Sequence, residues 1–415
     1  MLLHADRNSS SDGSRKVREG DRALAQVQDL RAEAAVVPPV AIGSRAPRAL
    51  VWDACNSSSV LAARSFVRQG WAVDWLGGHE SPWSRLPLWN SSTVIAGHGD
   101  PKLERTFSEH PLDALLLHGD DQVHWMLRRW RRLPVTIRRH LAPAESLEIG
   151  LSKLRSLQRA HELGIPTLDT ITCASRAEVA RAGVQLANRS EVVLKGEGGA
   201  GGRAVRALRA GAMPSSGQWR AVTREGPTVL VQRRIRGPRF LVSVVYEHGV
   251  ERAACAHEKV AAFPSAFGPA AFGVTRRLEI LHDYTQRLFG SLQWHGIADV
   301  EFRQDVCDGH WYFIEINPRV CATLGIQERA GMDLAGTWAR VCAGRGDVDP
   351  PGRTYREGVR YAWSVRALAL MLRRPWSVPA WGWPCLLSGN SDLAALEPKE
   401  RAGVLRLGAW MARHE

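Results

Sequence analysis

The clearest pattern in the chain is a pair of runs, 297–303 and 311–319, in which apolar and polar residues alternate. Alternation with period two gives a strand one face for a core and one for a site. The segment between them, 304–310, contains Asp308-Gly309, a hairpin signal. A two-residue Asp-Gly turn would set Glu301 opposite Ile316, on the wrong face. A three-residue turn of Cys307, Asp308 and Gly309, with Gly309 left-handed in a bulge, sets Glu301 opposite Glu315, and this is the expected register. Glu301, Glu315 and Asn317 then share one face.

Residues 48–53 read as a short buried strand. Asn56 and the three serines after it are N-cap candidates for a helix that carries Val60, Ala63 and Val67 on one face and ends at Gly70. Residues 71–76 form the next strand. The pattern repeats at 112–117, ahead of a helix capped by Asp120 or Asp121 with Val123, Leu127 and Trp130 along one stripe. This order predicts a small parallel α/β domain over 47–145. Its serine-rich first turn lacks the Gly-x-Gly-x-x-Gly of a dinucleotide site.

A second domain is expected over 146–345. It opens with a helix carrying Leu154, Leu157 and Leu163 on one face, ended by Gly164 and kept from resuming by Pro166. Strands are expected at 191–195, 203–206 and 228–237, the last breaking into a linker, and at 240–246, which starts the sheet that ends in the hairpin. His257 to Lys259 and the loop 263–272 read as an irregular segment facing whatever the sheet binds. After a break at 350–352, residues 355–374 read as a basic helix carrying Trp363, Val365, Leu368 and Leu372. An irregular tryptophan-rich piece follows, in a 350–415 extension expected to pack against the second domain.

Length and charge bound the function. At 415 residues, 45% of them hydrophobic, the chain can fill the cores of two or three domains. A net charge of +13 suits a polyanionic partner: a nucleotide, a nucleic acid or an anionic membrane. The excess is arginine spread along the whole chain, which argues against a dedicated nucleic-acid surface. Seven cysteines without a C-x-x-C or zinc-spaced histidines predict a reduced, cytoplasmic protein. No run of eighteen apolar residues predicts a membrane span. Residues 1–46 have the polar composition of a disordered tail, with a fraying helix over 21–35 and no secretory signal.

The candidate chemistry gathers around the hairpin. Two adjacent carboxylates repel unless a cation lies between them. Oxygen-only ligands suit a hard ion such as Mg²⁺, which binds through one or two carboxylates plus substrate phosphates. Lys195 ends a buried strand and is followed by Gly196, Gly198, Gly199, Gly201 and Gly202. Such a loop lays backbone N–H groups against phosphate oxygens, and the lysine adds a point charge. It reads as a flexible hairpin flap, since a Walker A sequence is absent. Lys153 lies in the first turn of its helix, against the macrodipole, a position that suits a lysine reaching an anion. Arg319, just past the second strand, would supply a fixed charge for a phosphoryl group.

The order of these parts resembles the ATP-grasp superfamily, and most closely its carboxylate-amine ligase and carbamoyl-phosphate-synthase branch. The likeness is carried by a lysine before an A-x-x-x-G-I-P helix, the glycine flap, a V-L-V-Q-x-x-I-x-G strand, V-E-F and E-I-N-P-R, across about 48–340. It implies an α/β fold: a small parallel domain, a two-lobed ATP-grasp domain with antiparallel sheets, and a helical C-terminal extension. It implies that Lys153 and Lys195 hold ATP phosphates beside Gly198, Gly199, Gly201 and Gly202, while Gln232, Arg233 and Ile235 line the adenine pocket. Glu301, Glu315 and Asn317 would bind two Mg²⁺ ions, for which Mn²⁺ could stand in, and Arg319 with Lys195 would steady the transferred phosphoryl.

The activity implied is an ADP-forming ligase that makes an acyl phosphate and passes it to an amine. Arg233 and Arg239 stand where the family places acidic residues, and Ser152 where many members have aspartate. These departures bear on base and ribose recognition. They keep a second reading open, a non-catalytic nucleotide- or nucleic-acid-binding protein with the same fold. The expected partners are ATP, a small carboxylate, an amine, a weak membrane-surface or polyanion contact through the C-terminal segment, and a second copy in a homodimer.

Overall fold

In a computed structural model of the protein the described residues are 45–414, apart from 79–80, 82, 110, 188–189, 200, 346–352 and 395–397. The tail and helix expected before residue 45, and the break at 350–352, lie outside the described residues.

Four strands, β1 (Arg48–Trp52), β2 (Ala72–Gly77), β3 (Ser91–Val94) and β4 (Ala114–Leu117), form a parallel sheet in the order β3-β2-β1-β4. β4 is buried throughout and β1 nearly so, as expected for a parallel sheet covered on both faces. Asn56 caps the helix Ser57–Arg68 by accepting from Ser58 N, and Gly70 ends it at φ +82°. Val60 and Ala63 are fully buried, but Val67 is 41% exposed, so the expected stripe stops one turn early. The cap of the helix Asp120–Arg128 is Gly119 rather than an aspartate. Asp120 and Asp121 occupy its first turn, where negative charge complements the helix dipole.

The remaining strands form two antiparallel sheets. β5 (Thr170–Cys173), β6 (Glu191–Gly196), β7 (Val205–Arg209) and β8 (Val229–Arg233) run in the order β5-β8-β6-β7. The larger sheet contains β9 (Arg239–Glu247), β10 (Val250–Ala262), β11 (Ala270–Thr275), β12 (Gly296–Gln304), β13 (Trp311–Asn317) and β14 (Arg360–Ala362), in the order β13-β12-β9-β10-β11-β14.

Two expectations need correction here. His257 to Lys259 belong to β10, and most of 263–272 is loop only up to Pro269, where β11 begins. The centre of β10 is buried on both faces, so its sequence lacks the alternation that marks a half-exposed strand. The basic helix starts at Ser364, because 360–362 instead pair with β11 and Trp363 is buried beside them.

The hydrophobic core runs through all these parts. Leu50, Trp52, Leu115 and Leu117 of the parallel sheet share one cluster with Leu147, Val242, Phe302 and Phe313. A second cluster joins Val51, Phe66 and Trp75 to Val245, Ile297 and Trp338. Val320 N also donates to Leu117 O at 2.8 Å, tying the end of β4 to the turn after β13. Among the described residues no helix is long and apolar enough to cross a membrane.

Candidate active site

β12 and β13 pair with Glu301 opposite Glu315 and Asp299 opposite Asn317, as expected. The route to that register differs from the expected one. The connection spans 305–310, and pairing starts at Gln304 with Trp311, a register that on its own would bring Glu301 opposite Ile314. A bulge between Phe313 and Glu315 skips Ile314 and turns both carboxylates to the same face. Gly309 is left-handed at φ +72°, as expected. Arg233 pins the connection to the smaller sheet through Asp305, Asp308 at 3.1 Å and the Tyr312 hydroxyl at 3.1 Å.

The two antiparallel sheets face each other across a cleft lined by Lys153, Lys195, Gly199, Gly201, Gly202, Gln232, Arg233, Ile235, Glu301 and Glu315. Of the residues singled out from the sequence, Gly196, Gly198, Asn317 and Arg319 do not line it. The Gly198 carbonyl accepts from Lys153 at 3.4 Å, and Asn317 Oδ1 accepts from Arg319 Nη2 at 2.9 Å. Gln232 donates to Thr170 at 2.8 Å, while its buried Oε1 has no partner. An unsatisfied acceptor of this kind suits a ligand's amino group.

Lys195 is 9% exposed, and its ammonium makes no hydrogen bond or ion pair with any described residue. Burial lowers the pKa of its ammonium, and the nearby Glu315 and Glu301 oppose that shift. Glu301 is closely held, with Lys259 Nζ at 2.6 Å from Oε2 and Arg239 Nη1 at 3.9 Å from Oε1. Burial alone would raise its carboxyl. Lys259, then Arg239 and Lys195, outweigh that and keep it below the usual carboxylate range.

The sequence placed Lys259 in a segment facing the ligand but gave it no role, and it passed over Arg303. Lys259 pairs with Arg239 across β10 and β9, and Arg239 pairs with Arg303 across β9 and β12. Three cations directly side by side on neighbouring strands destabilise a sheet unless something negative faces them. Two carboxylates do so in part. The only sequence signal was the charge itself inside otherwise apolar strands, readable once the strand pairing is known.

The turn between β6 and β7 closes one side of the cleft. Lys153 Nζ donates to the carbonyls of Glu197, Gly198 and Gly199 at 3.3, 3.4 and 3.0 Å. Glu197 in turn accepts from Ser152 Oγ at 2.5 Å and Leu154 N at 3.3 Å, placing a carboxylate at the N-terminus of the helix Lys153–Glu162. That negative charge offsets the unfavourable position of Lys153. Gly202 approaches the 263–269 loop so closely that a β-carbon there would lie 2.2 Å from Phe267 O.

No group of three or more His, Cys, Asp or Glu side chains among the described residues could hold a metal ion. Glu301 and Glu315 suit Mg²⁺ if phosphate oxygens complete its shell, being oxygen donors set side by side on two paired strands, whereas Asn317 lies off the cleft lining with its Oδ1 engaged by Arg319.

Two antiparallel sheets facing each other across a lysine-bearing cleft, together with a parallel α/β unit, define the class of fold. Residues 153–346 match the family model described as carbamoyl-phosphate synthase L chain, ATP binding domain. That segment is an ATP-grasp domain, of the branch to which that model belongs. No curated protein matches the chain.

Among solved structures, the chain is similar to a biotin carboxylase complex with β,γ-ATP from Campylobacter jejuni, at 17% identity over 75% of this chain and 74% of that one, TM-score 0.61. It is similar to N5-carboxyaminoimidazole synthetase from Staphylococcus aureus complexed with ADP, at 12% identity over 74% and 79%, TM-score 0.59. It is also similar to L-amino acid ligase from Bacillus licheniformis, at 15% identity over 74% and 78%, TM-score 0.55. At these identities the likeness is one of fold.

Proposed function

We propose that the protein is an ATP- and Mg²⁺-dependent ligase that activates a carboxylate as an acyl phosphate and joins it to an amine or similar nucleophile. The observation that carries this reading is the surplus of buried positive charge around a carboxylate pair. Lys153, Lys195, Arg239, Lys259 and Arg303 gather near Glu301 and Glu315. A triphosphate balances such a site, and an ordinary structural ion-pair network would not leave Lys195 unpaired.

In this reading Lys153 and Lys195 hold the phosphates, and the turn at 197–202 covers them and excludes water. Gln232 Oε1 accepts from the adenine amino group. Glu301 and Glu315 would hold Mg²⁺, Asn317 joining them only by sharing its Oδ1 with Arg319, and the ion would supply charge neutralisation for the phosphates. A carboxylate oxygen of the acid attacks the γ-phosphorus and ADP leaves. The amine nitrogen then attacks the acyl carbon, loses a proton, and phosphate leaves. Arg319, oriented by Asn317 and Asp120, balances charge on the moving phosphoryl group.

Arg366 is a candidate for holding the acid. It donates to Ala270 O at 2.7 Å and Ala322 O at 3.3 Å, within electrostatic reach of Arg319 and Asp392, and forms no direct ion pair with a described carboxylate. Burial lowers it to about 10. Residues 47–145 then form the preceding α/β domain, 146–345 the ATP-grasp domain and 350–415 an extension that contributes this arginine.

The test is release of phosphate from ATP across pools of carboxylic acids and amines, with and without Mg²⁺. Release that needs Mg²⁺ and an acid, and that Glu315→Ala abolishes, supports the ligase. ATP binding without Mg²⁺-dependent turnover in any pool overturns it in favour of a non-catalytic binding protein.

A further inference from the structure

We propose that the surface presented by residues 372–387 docks on an anionic lipid bilayer. Leu372 is 60% exposed, Trp376 79%, Trp383 52% and Leu387 81%, four large apolar side chains turned to solvent within one short stretch. They sit on three consecutive elements: the end of the helix Ser364–Arg373, the short turn Pro375–Ser377 and the helix Gly382–Leu387. Soluble surfaces carry single exposed apolar residues without consequence, but a concentration of this kind marks an interaction site.

The same stretch is firmly anchored from below. Met371, Cys385 and Leu386 are buried in a cluster with Phe263, Phe272 and Leu370. Trp381 packs edge-on against Phe272 with ring centroids 5.7 Å apart, and the Arg360 guanidinium lies over its ring. Arg374 donates to Pro264 O. The outward residues are therefore held out by an ordered scaffold rather than displayed by a loose tail.

Charge selects the occupant. From Gly358 to Ser391 the sequence contains no acidic residue, and of its four arginines Arg360 and Arg373 are exposed and Arg374 half-buried at this face, while Arg366 points inward. A second copy meeting this face would set arginines against arginines, whereas anionic headgroups complement them and attract basic segments. Tryptophan, with an apolar ring and a polar N–H, favours the boundary between headgroups and acyl chains. Exposed Trp and Leu flanked by arginine is the composition of a surface that lies in that boundary without spanning it. The inference is independent of the ligase reading.

The experiment is flotation of the chain with vesicles of phosphatidylcholine alone or of phosphatidylcholine with phosphatidylglycerol, alongside W376A/W383A and R373E. Thermal unfolding checks that the variants remain folded. The chain is expected to float with the phosphatidylglycerol vesicles and to be released by salt. W376A/W383A, still cooperatively folded, should weaken flotation about tenfold or more, and R373E should weaken it chiefly at low salt. Failure to float, or equal flotation by folded W376A/W383A, overturns the proposal. So does a dimer in vesicle-free solution that W376A/W383A converts to monomer, since the face would then be a self-association surface.

Discussion

Arg319 Nε donates to Asp120 Oδ1 at 2.9 Å, joining the turn after β13 to the first turn of a helix in the parallel domain. The same guanidinium reaches Asn317, so its orientation depends on two parts of the fold at once. A fixed guanidinium costs no reorganisation as charge moves past it.

Asp120→Asn keeps the shape of that contact and removes its charge. The expected result is a fall of about tenfold or more in kcat with the KM for ATP little changed, because Arg319 loses its orientation while the phosphate lysines are untouched. Separate kcat and KM measurements check it. A change confined to KM would contradict the positioning role.

Lys259→Met tests what holds Glu301 ionised. With Lys259 present the folded-state pKa of Glu301 is depressed, so the carboxylate persists as pH falls. Without it, burial is less opposed and the pKa rises. The acid limb of the pH profile for Mg²⁺-dependent phosphate release should move to higher pH, by about one unit. An unmoved limb would show that another group governs it.

Gly202 and Gly309 share φ +72°, but a β-carbon at Gly309 would meet nothing within 4 Å. Gly309→Ala should cost only the left-handed backbone strain, about 1–2 kcal/mol. Gly202→Ala adds a clash with the Phe267 carbonyl and should displace the turn over the cleft, raising the KM for ATP about tenfold. Paired thermal melts and ATP titrations distinguish the two effects.

Acid stability follows from buried neutral histidines. Burial lowers His118 and His295 to about 3 and His140 to about 4, against an ordinary value of 6.5. Between those limits the unfolded chain binds protons that the folded chain does not, so stability falls as pH drops below 6.5. Each group contributes a slope of about 1.4 kcal/mol per pH unit. Tm should decline steeply from pH 6.5 to 5, and His140→Gln should flatten the decline.

Much of the candidate site was legible because it lies in local patterns. The glycine run, the lysine before it and the alternation around Glu301 and Glu315 each need only a few neighbouring residues to read. What was not legible depends on distant pairing. Lys259 gains its role only when β10 lies beside β9 and β9 beside β12, and the apolar sequence of β10 hides its strand character. Arg233 looked like a lost acid, yet its three partners all come from the hairpin, 72 to 79 residues away. The helix expected from Tyr355 was overridden by pairing of Arg360–Ala362 with β11, which propensity cannot foresee.

The bulge at Ile314 has a bearing on how this hairpin tolerates change. Since the offset sits beside the carboxylates and not in the connecting loop, an insertion or deletion within 305–310 can be absorbed at the tip without swapping which side chains look inward. Variation in loop length there would act through the ion pairs that tie Asp305 and Asp308 to Arg233, and not through the aim of the acidic pair.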